Sequence, residues 1–194
     1  VVENGIALGG LGDGEVIWHT DMSSYDAPPN QTLLYALEIP PAGGATSFCD
    51  MYAVWETLPA PLRSAVDALE LKHDAMIDAA GHVRSRYAHL VVRTHPETGR
   101  DCLYLGRRSN AQLMDMPRDR SDALLEQLWQ HATGPALTWT HNWRRGDLVM
   151  WDNRCVMHRR EPFDPATRRL MHRVVVQGTP PVRATAAAPV AAGA

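Results

Sequence analysis

The sequence holds no apolar run near the ~20 residues that a membrane-spanning helix needs, and this sets that class of protein aside. Positive charge is not in surplus. Lys and Arg number 19 against 22 Asp and Glu, for a formal net charge of −3. A sequence-independent nucleic-acid binder would carry a basic excess. Cysteine is scarce as well. Cys49, Cys102 and Cys155 are odd in number and far apart, with no CxxC. They read as small buried hydrophobes, not as a disulfide framework, and a reducing cytoplasm fits them best. The first residues lack a basic stretch and are broken by glycines, so no secretory leader is expected. No GxGxxG follows a strand pattern, and Gly9–Gly10–Leu11–Gly12 leads into neither GK[ST] nor a helix. Dinucleotide and P-loop folds are therefore not expected.

What is present is an ordinary globular chain of 194 residues, 45% hydrophobic and 21% charged. Residues 1–183 are expected to form one domain. The Ala-rich stretch 184–194 is expected to be a disordered tail. Val1–Gly14 reads as a loop. Gln31–Ile39 reads as a strand apolar enough to be buried on both faces. Thr46–Asp50 is a short strand. Met51–Leu58 and Ala60–Leu69 read as helices broken by proline. Leu71–Tyr87 is polar and irregular, and would suit a mobile lid. His89–Thr94 and Cys102–Leu105 make a hairpin about the turn His95–Arg100. Ser121–Ala132 is the strongest helix, with Ser121 as its cap. Leu137–Trp143, Leu148–Trp151 and Met171–Gln177 are further strands. Short turns between strands argue for an antiparallel sandwich with helices outside.

The informative segment is Trp18–His19–Thr20–Asp21. Residues i and i+2 of an extended segment point the same way, so His19 and Asp21 can reach one metal ion together. His158, soon after the strand Leu148–Trp151, is the best third ligand. Two histidines and one carboxylate form the facial triad of non-haem Fe(II) oxygenases, with positions left open for cosubstrate and dioxygen.

Around this triad the chain resembles the TauD/TfdA family of Fe(II)- and 2-oxoglutarate-dependent dioxygenases. The matching stretches are Trp18–Asp21, Pro40–Thr46 with Phe48–Met51, Thr94–Arg100, Gly146–Arg154 and His158–Arg173. The resemblance implies a mainly β fold, a double-stranded β-helix (jelly roll) with flanking α-helices. It implies Fe(II) on His19, Asp21 and His158, with 2-oxoglutarate and O2 as cosubstrates. Arg169 matches the arginine that binds the distal carboxylate of 2-oxoglutarate, through a bidentate and always-charged contact. Thr46 matches the threonine whose hydroxyl adds a bond to that carboxylate. Arg173 matches an arginine that holds either an acidic substrate or the other carboxylate of the cosubstrate. Four residues apart on a strand, Arg169 and Arg173 would share a face. Trp151 matches a tryptophan lining the iron pocket.

The implied activity is hydroxylation of a small anionic substrate (a carboxylate, sulfonate or sulfate), with cleavage where the new hydroxyl sits beside a heteroatom. The resemblance also implies a homo-oligomer, a dimer or tetramer, and no nucleic-acid or membrane partner. The chain departs from the pattern in two places. The family pattern carries a further N-terminal region before the HxD segment, whereas the sequence as given has eighteen residues before His19, and Glu15 stands where taurine-cleaving members have asparagine. Two other readings compete: a metal- or small-ligand-binding jelly roll without oxygenase activity, and a zinc hydrolase. The hydrolase would need a general base that the sequence does not nominate, and it leaves Thr46, Arg169 and Arg173 without a role. Without the resemblance, Arg168, Arg169 and Arg173 would read as a solvated basic rim pairing with Glu161 and Asp164. His95 and His172 read as structural.

Overall fold

The computed structural model describes residues 2–3, 6–7, 13–73 and 87–184. The elements run β1 (Val2–Glu3), β2 (Ile6–Ala7), β3 (Val16–His19), β4 (Gln31–Glu38), β5 (Thr46–Asp50), α1 (Met51–Thr57), α2 (Ala60–Val66), β6 (Glu70–Lys72), β7 (Ala88–Leu90), β8 (Val92–Thr94), β9 (Asp101–Leu103), β10 (Gln112–Leu113), α3 (Arg118–Ala132), β11 (Thr138–His141), β12 (Leu148–Asp152), β13 (Val156–Arg160) and β14 (Leu170–Val176). One sheet has the order β11-β5-β13-β3 and a second β12-β4-β14, with antiparallel pairing throughout. Trp151 of β12 meets Phe48 of β5 and His158 of β13, at ring separations of 5.3 and 4.6 Å. The two sheets therefore face each other, as the sandwich reading requires, in a jelly roll.

The core lies between the first sheet and the helices. Met51 and Val54 of α1, Leu125 and Leu128 of α3, Leu103 of β9 and Met157 of β13 are buried together. Each large aliphatic chain removed from water in this way contributes roughly 1.5–3 kcal/mol. Helix α1 starts where the Asp50 carboxylate accepts from the Tyr52 and Ala53 amides. Helix α2 stops at Val66, short of the expected Leu69, and Leu69 turns back to the Val66 carbonyl to enter β6.

Several expectations are corrected. β4 is not buried on both faces: Thr32 and Ala36 are buried, whereas Tyr35 is exposed. Its sheet covers the site on one side and meets solvent on the other. Ser121 is not a helix cap. α3 begins at Arg118 after Pro117, and the buried Ser121 hydroxyl accepts from the Leu113 amide. Leu71 and Lys72 belong to β6 instead of a loop, and residues 74–86 of the expected lid lie outside the described residues. The hairpin forms as expected, although Val91 divides its first arm into β7 and β8. Val1–Gly14, expected as a loop, contains the β1–β2 pair, and its residues 1, 4–5 and 8–12 are outside the described residues. Of the expected tail only Ala184 is described, its amide donating to Thr94 Oγ1. Among the described residues no helix is long and apolar enough to cross a membrane.

Candidate metal centre

Strand β3 ends at His19, and Asp21 lies in the turn that follows, not on the strand itself. His158 lies within β13, where the sequence offered no strand, and antiparallel pairing sets it directly opposite His19. The two imidazoles are 4.2 Å apart between ring centres. Asp21 Oδ1 stands 3.6 Å from His19 Nε2 and 3.8 Å from His158 Nε2. The donor atoms of all three residues lie within 4.8 Å of one another, and all three residues are buried.

The protonation pattern suits a cation. His19 Nδ1–H donates to the Ile17 carbonyl at 2.8 Å, which leaves the Nε2 lone pair directed at the cluster. His158 Nδ1 is buried without a partner. Burial, then the neighbouring His19, pushes the His158 ring down to about 3, so it is neutral near pH 7. Burial alone would raise the Asp21 carboxyl. Contacts with His19, His158 and Arg173 outweigh burial and hold it well below the usual carboxylate range. Two imidazoles, of which His158 is held neutral by burial, and one carboxylate, facing inward without water's screening, fit a divalent cation of the Fe(II) type.

Arg173 joins this group. Its guanidinium reaches Asp21 Oδ1 at 2.7 Å from strand β14, and the side chain is 44% exposed. Arg169 is placed differently from the expectation. It precedes β14, and a register shift between Leu170 and Met171 breaks the simple parity that would put both arginines on one strand face. Arg169 instead donates through Nε to the Gly44 carbonyl at 3.2 Å and lies over the Trp143 ring at 5.8 Å. Trp143 Nε1–H donates to Thr46 Oγ1 at 2.9 Å. Trp143 thus ties Arg169 and Thr46 into one corner, and the Thr46 hydroxyl keeps its own proton to donate. Burial and the nearby Arg160 push the Arg169 guanidinium down to about 10. An arriving carboxylate would relieve both effects. Thr46 stands two residues before Phe48 on β5, and Phe48 packs on His158, so the anion corner and the metal cluster share one sheet face.

Sequence reasoning missed Trp143, Thr32 and Asn153. Thr32 Oγ1–H donates to Asp21 Oδ2 at 2.8 Å. Asn153 accepts the Asp21 amide at 2.9 Å and returns a bond to the Asp21 carbonyl at 3.0 Å. A lone threonine in an apolar strand was the available signal for Thr32. The rim expectation also shifts, because Arg168 pairs with Glu38 and not with Glu161 or Asp164. Glu15 pairs with Arg159. His95 binds Asp152 while its Nδ1 faces the Glu97 and Thr98 amides, contacts in keeping with the structural role expected of it. His172 is exposed.

Comparison with known proteins covers nearly the whole chain. The profile of the family described as "Taurine catabolism dioxygenase TauD, TfdA family" matches residues 2–175. The alpha-ketoglutarate-dependent 2,4-dichlorophenoxyacetate dioxygenase of Burkholderia sp. (strain RASC) is 32% identical over 173 residues, 84% of this chain and 58% of that protein. Pentalenolactone F synthase of Streptomyces arenae is 33% identical over 198 residues, 90% of this chain and 66% of that protein. The crystal structure of AAD-2 in complex with Mn(II) and N-oxalylglycine superposes with a TM-score of 0.78 at 34% identity, covering 86% of this chain and 70% of that one. The chain spans 58% of the length of the Burkholderia relative.

Proposed function

The chain belongs to the taurine catabolism dioxygenase TauD, TfdA family, and from that premise we propose that it is a non-haem Fe(II)- and 2-oxoglutarate-dependent dioxygenase. Its substrate is a small anionic organic molecule, hydroxylated and in some cases cleaved. The observation that carries the proposal is the convergence of His19 Nε2, His158 Nε2 and Asp21 Oδ1, with a cationic corner on the same sheet face.

In this reading His19, Asp21 and His158 hold the iron, and Arg169 and Thr46 take the distal carboxylate of 2-oxoglutarate. The bound metal supplies the dioxygen chemistry, coupling decarboxylation of 2-oxoglutarate to succinate and CO2 with hydroxylation of substrate. The protein supplies placement. His19 is fixed as the Nδ1–H tautomer by Ile17. His158 is wedged between Trp151 and Phe48, and both residues keep water from the cluster. Arg173, partly open to solvent, meets the anionic group of the substrate or the inner carboxylate of the cosubstrate. The 2,4-dichlorophenoxyacetate named for the Burkholderia relative is a carboxylate, which supports the anionic class. The same reading takes residues 1–183 as one jelly-roll domain, in a cytoplasmic protein that assembles as a dimer or tetramer. Size-exclusion chromatography with light scattering reads the assembly.

The deciding experiment is anaerobic. Fe(II) and then 2-oxoglutarate are added to the full chain, and the weak visible charge-transfer band of the chelate is recorded. The band is expected in the wild type, lost in Asp21→Ala and weakened in Arg169→Ala. A folded wild-type protein without the band overturns the proposal in favour of a binding-only jelly roll.

A further inference from the structure

Asp21 is restrained at every polar atom it has. Its backbone is clasped from both sides by Asn153, which is itself buried and anchored on the Pro29 carbonyl at 3.0 Å. Only the carboxylate torsion is left to set, and the two carboxylate oxygens are treated differently. Oδ1 faces both imidazole Nε2 atoms and meets the half-exposed Arg173 guanidinium at 2.7 Å, a partner that an arriving anion can draw away. Oδ2 accepts the Thr32 hydroxyl at 2.8 Å. Thr32 is fully buried in the middle strand of its sheet, paired with Trp151 on one side and Val175 on the other, so its own position is fixed.

We infer that Thr32 is a positioning residue that makes Asp21 a one-oxygen ligand. The inference rests on the dioxygenase reading and deepens it. Two imidazoles and one carboxylate oxygen take three of six positions around an octahedral ion. 2-Oxoglutarate needs two of the remainder and dioxygen one. A carboxylate free to turn both oxygens inward takes a fourth position, and the cosubstrate then has to displace it. The Thr32 hydrogen bond, strengthened by the charge on its acceptor, keeps Oδ2 turned away. Residue 32 needs the hydroxyl for this role, since valine has the same shape but no donor.

The test uses the full chain under argon, loaded with Fe(II), with the visible band titrated by 2-oxoglutarate. Fe(II) affinity and thermal midpoint are measured separately. In Thr32→Val the half-saturating 2-oxoglutarate concentration rises about tenfold. Fe(II) affinity is retained, because the freed Oδ2 adds a donor in place of the lost restraint. Thr32→Ser, which keeps the hydroxyl, titrates like the wild type. Two results overturn the inference alone: a Thr32→Val protein that titrates at wild-type concentrations, or a joint fall of Fe(II) affinity and thermal midpoint that Thr32→Ser does not repair. A wild type that shows no band overturns the dioxygenase reading, and this inference with it.

Discussion

Trp143 does two things with one ring. Its indole N–H fixes the Thr46 oxygen, and its face supports the Arg169 guanidinium. Trp143→Phe keeps much of the face and removes the donor. Thr46 is then free to rotate, and 2-oxoglutarate affinity read from the visible band is expected to drop severalfold, on the order of 1 kcal/mol. Gly44 belongs to the same corner. Its φ of +73° for Gly43 and +70° for itself carry the chain through the turn, and a Cβ at Gly44 would stand 3.2 Å from Arg169 Cδ. Gly44→Ala combines a strained backbone with a crowded arginine, so it is expected to weaken 2-oxoglutarate binding as well as lower the thermal midpoint. At this scale the proposed ligands are legible because a histidine and a carboxylate two residues apart are a chemical signal in themselves. Thr32, Asn153 and Trp143 were not, because each acts through a neighbour that only the fold supplies.

Elements were read well where one pattern dominated. β12 and β14 follow their hydrophobic runs, and α1 begins at an aspartate able to cap it. β13 carries no strand signal in the sequence because two consecutive arginines, Arg159 and Arg160, follow only three residues of the strand. Arg160 is nonetheless buried against the Phe163 ring, and the strand is central to its sheet. α3 starts three residues before Ser121, the serine that the sequence pattern offers as its cap. The physical start is Pro117, while Ser121 serves another strand altogether. Ser121→Ala leaves the Leu113 amide buried without its acceptor, and denaturant unfolding is expected to show a loss of about 1–3 kcal/mol. Gly106 joins elements in a similar way. Its carbonyl accepts the Thr20 amide at 3.0 Å, inside the HxD segment. Its φ is +64°, and a Cβ there would lie 1.7 Å from His73 Nδ1. Gly106→Ala is expected to cost about 2–4 kcal/mol and to impair metal binding together with stability.

The molecule as a whole carries an acid sensitivity. Burial holds both His73 and His158 down to about 3, against an ordinary value of 6.5. Below 6.5 the unfolded chain takes up protons that the native chain refuses until about 3, so stability falls as pH drops through that window. Two such groups give a slope of roughly 2–3 kcal/mol per pH unit near pH 5. Thermal midpoints recorded with chelator present from pH 7 to 5 check it, and a flat profile would contradict the burial of these rings. The outer face of β12-β4-β14 is a second whole-molecule property. Leu148, Met150 and Val174 are 62%, 65% and 58% exposed, with Met150 and Val174 flanking Leu33. The protein is expected to bind a hydrophobic dye, and Met150→Lys with Val174→Lys is expected to reduce that signal without moving the 2-oxoglutarate titration. The Asp21–Asn153 clasp joins residues 132 positions apart. While the chain is being made on the ribosome, the first half of the donor set emerges long before the strand that completes it. On the proposed assignment no partial chain can choose its ion, and selection falls to the fold that first brings the three proposed ligands together.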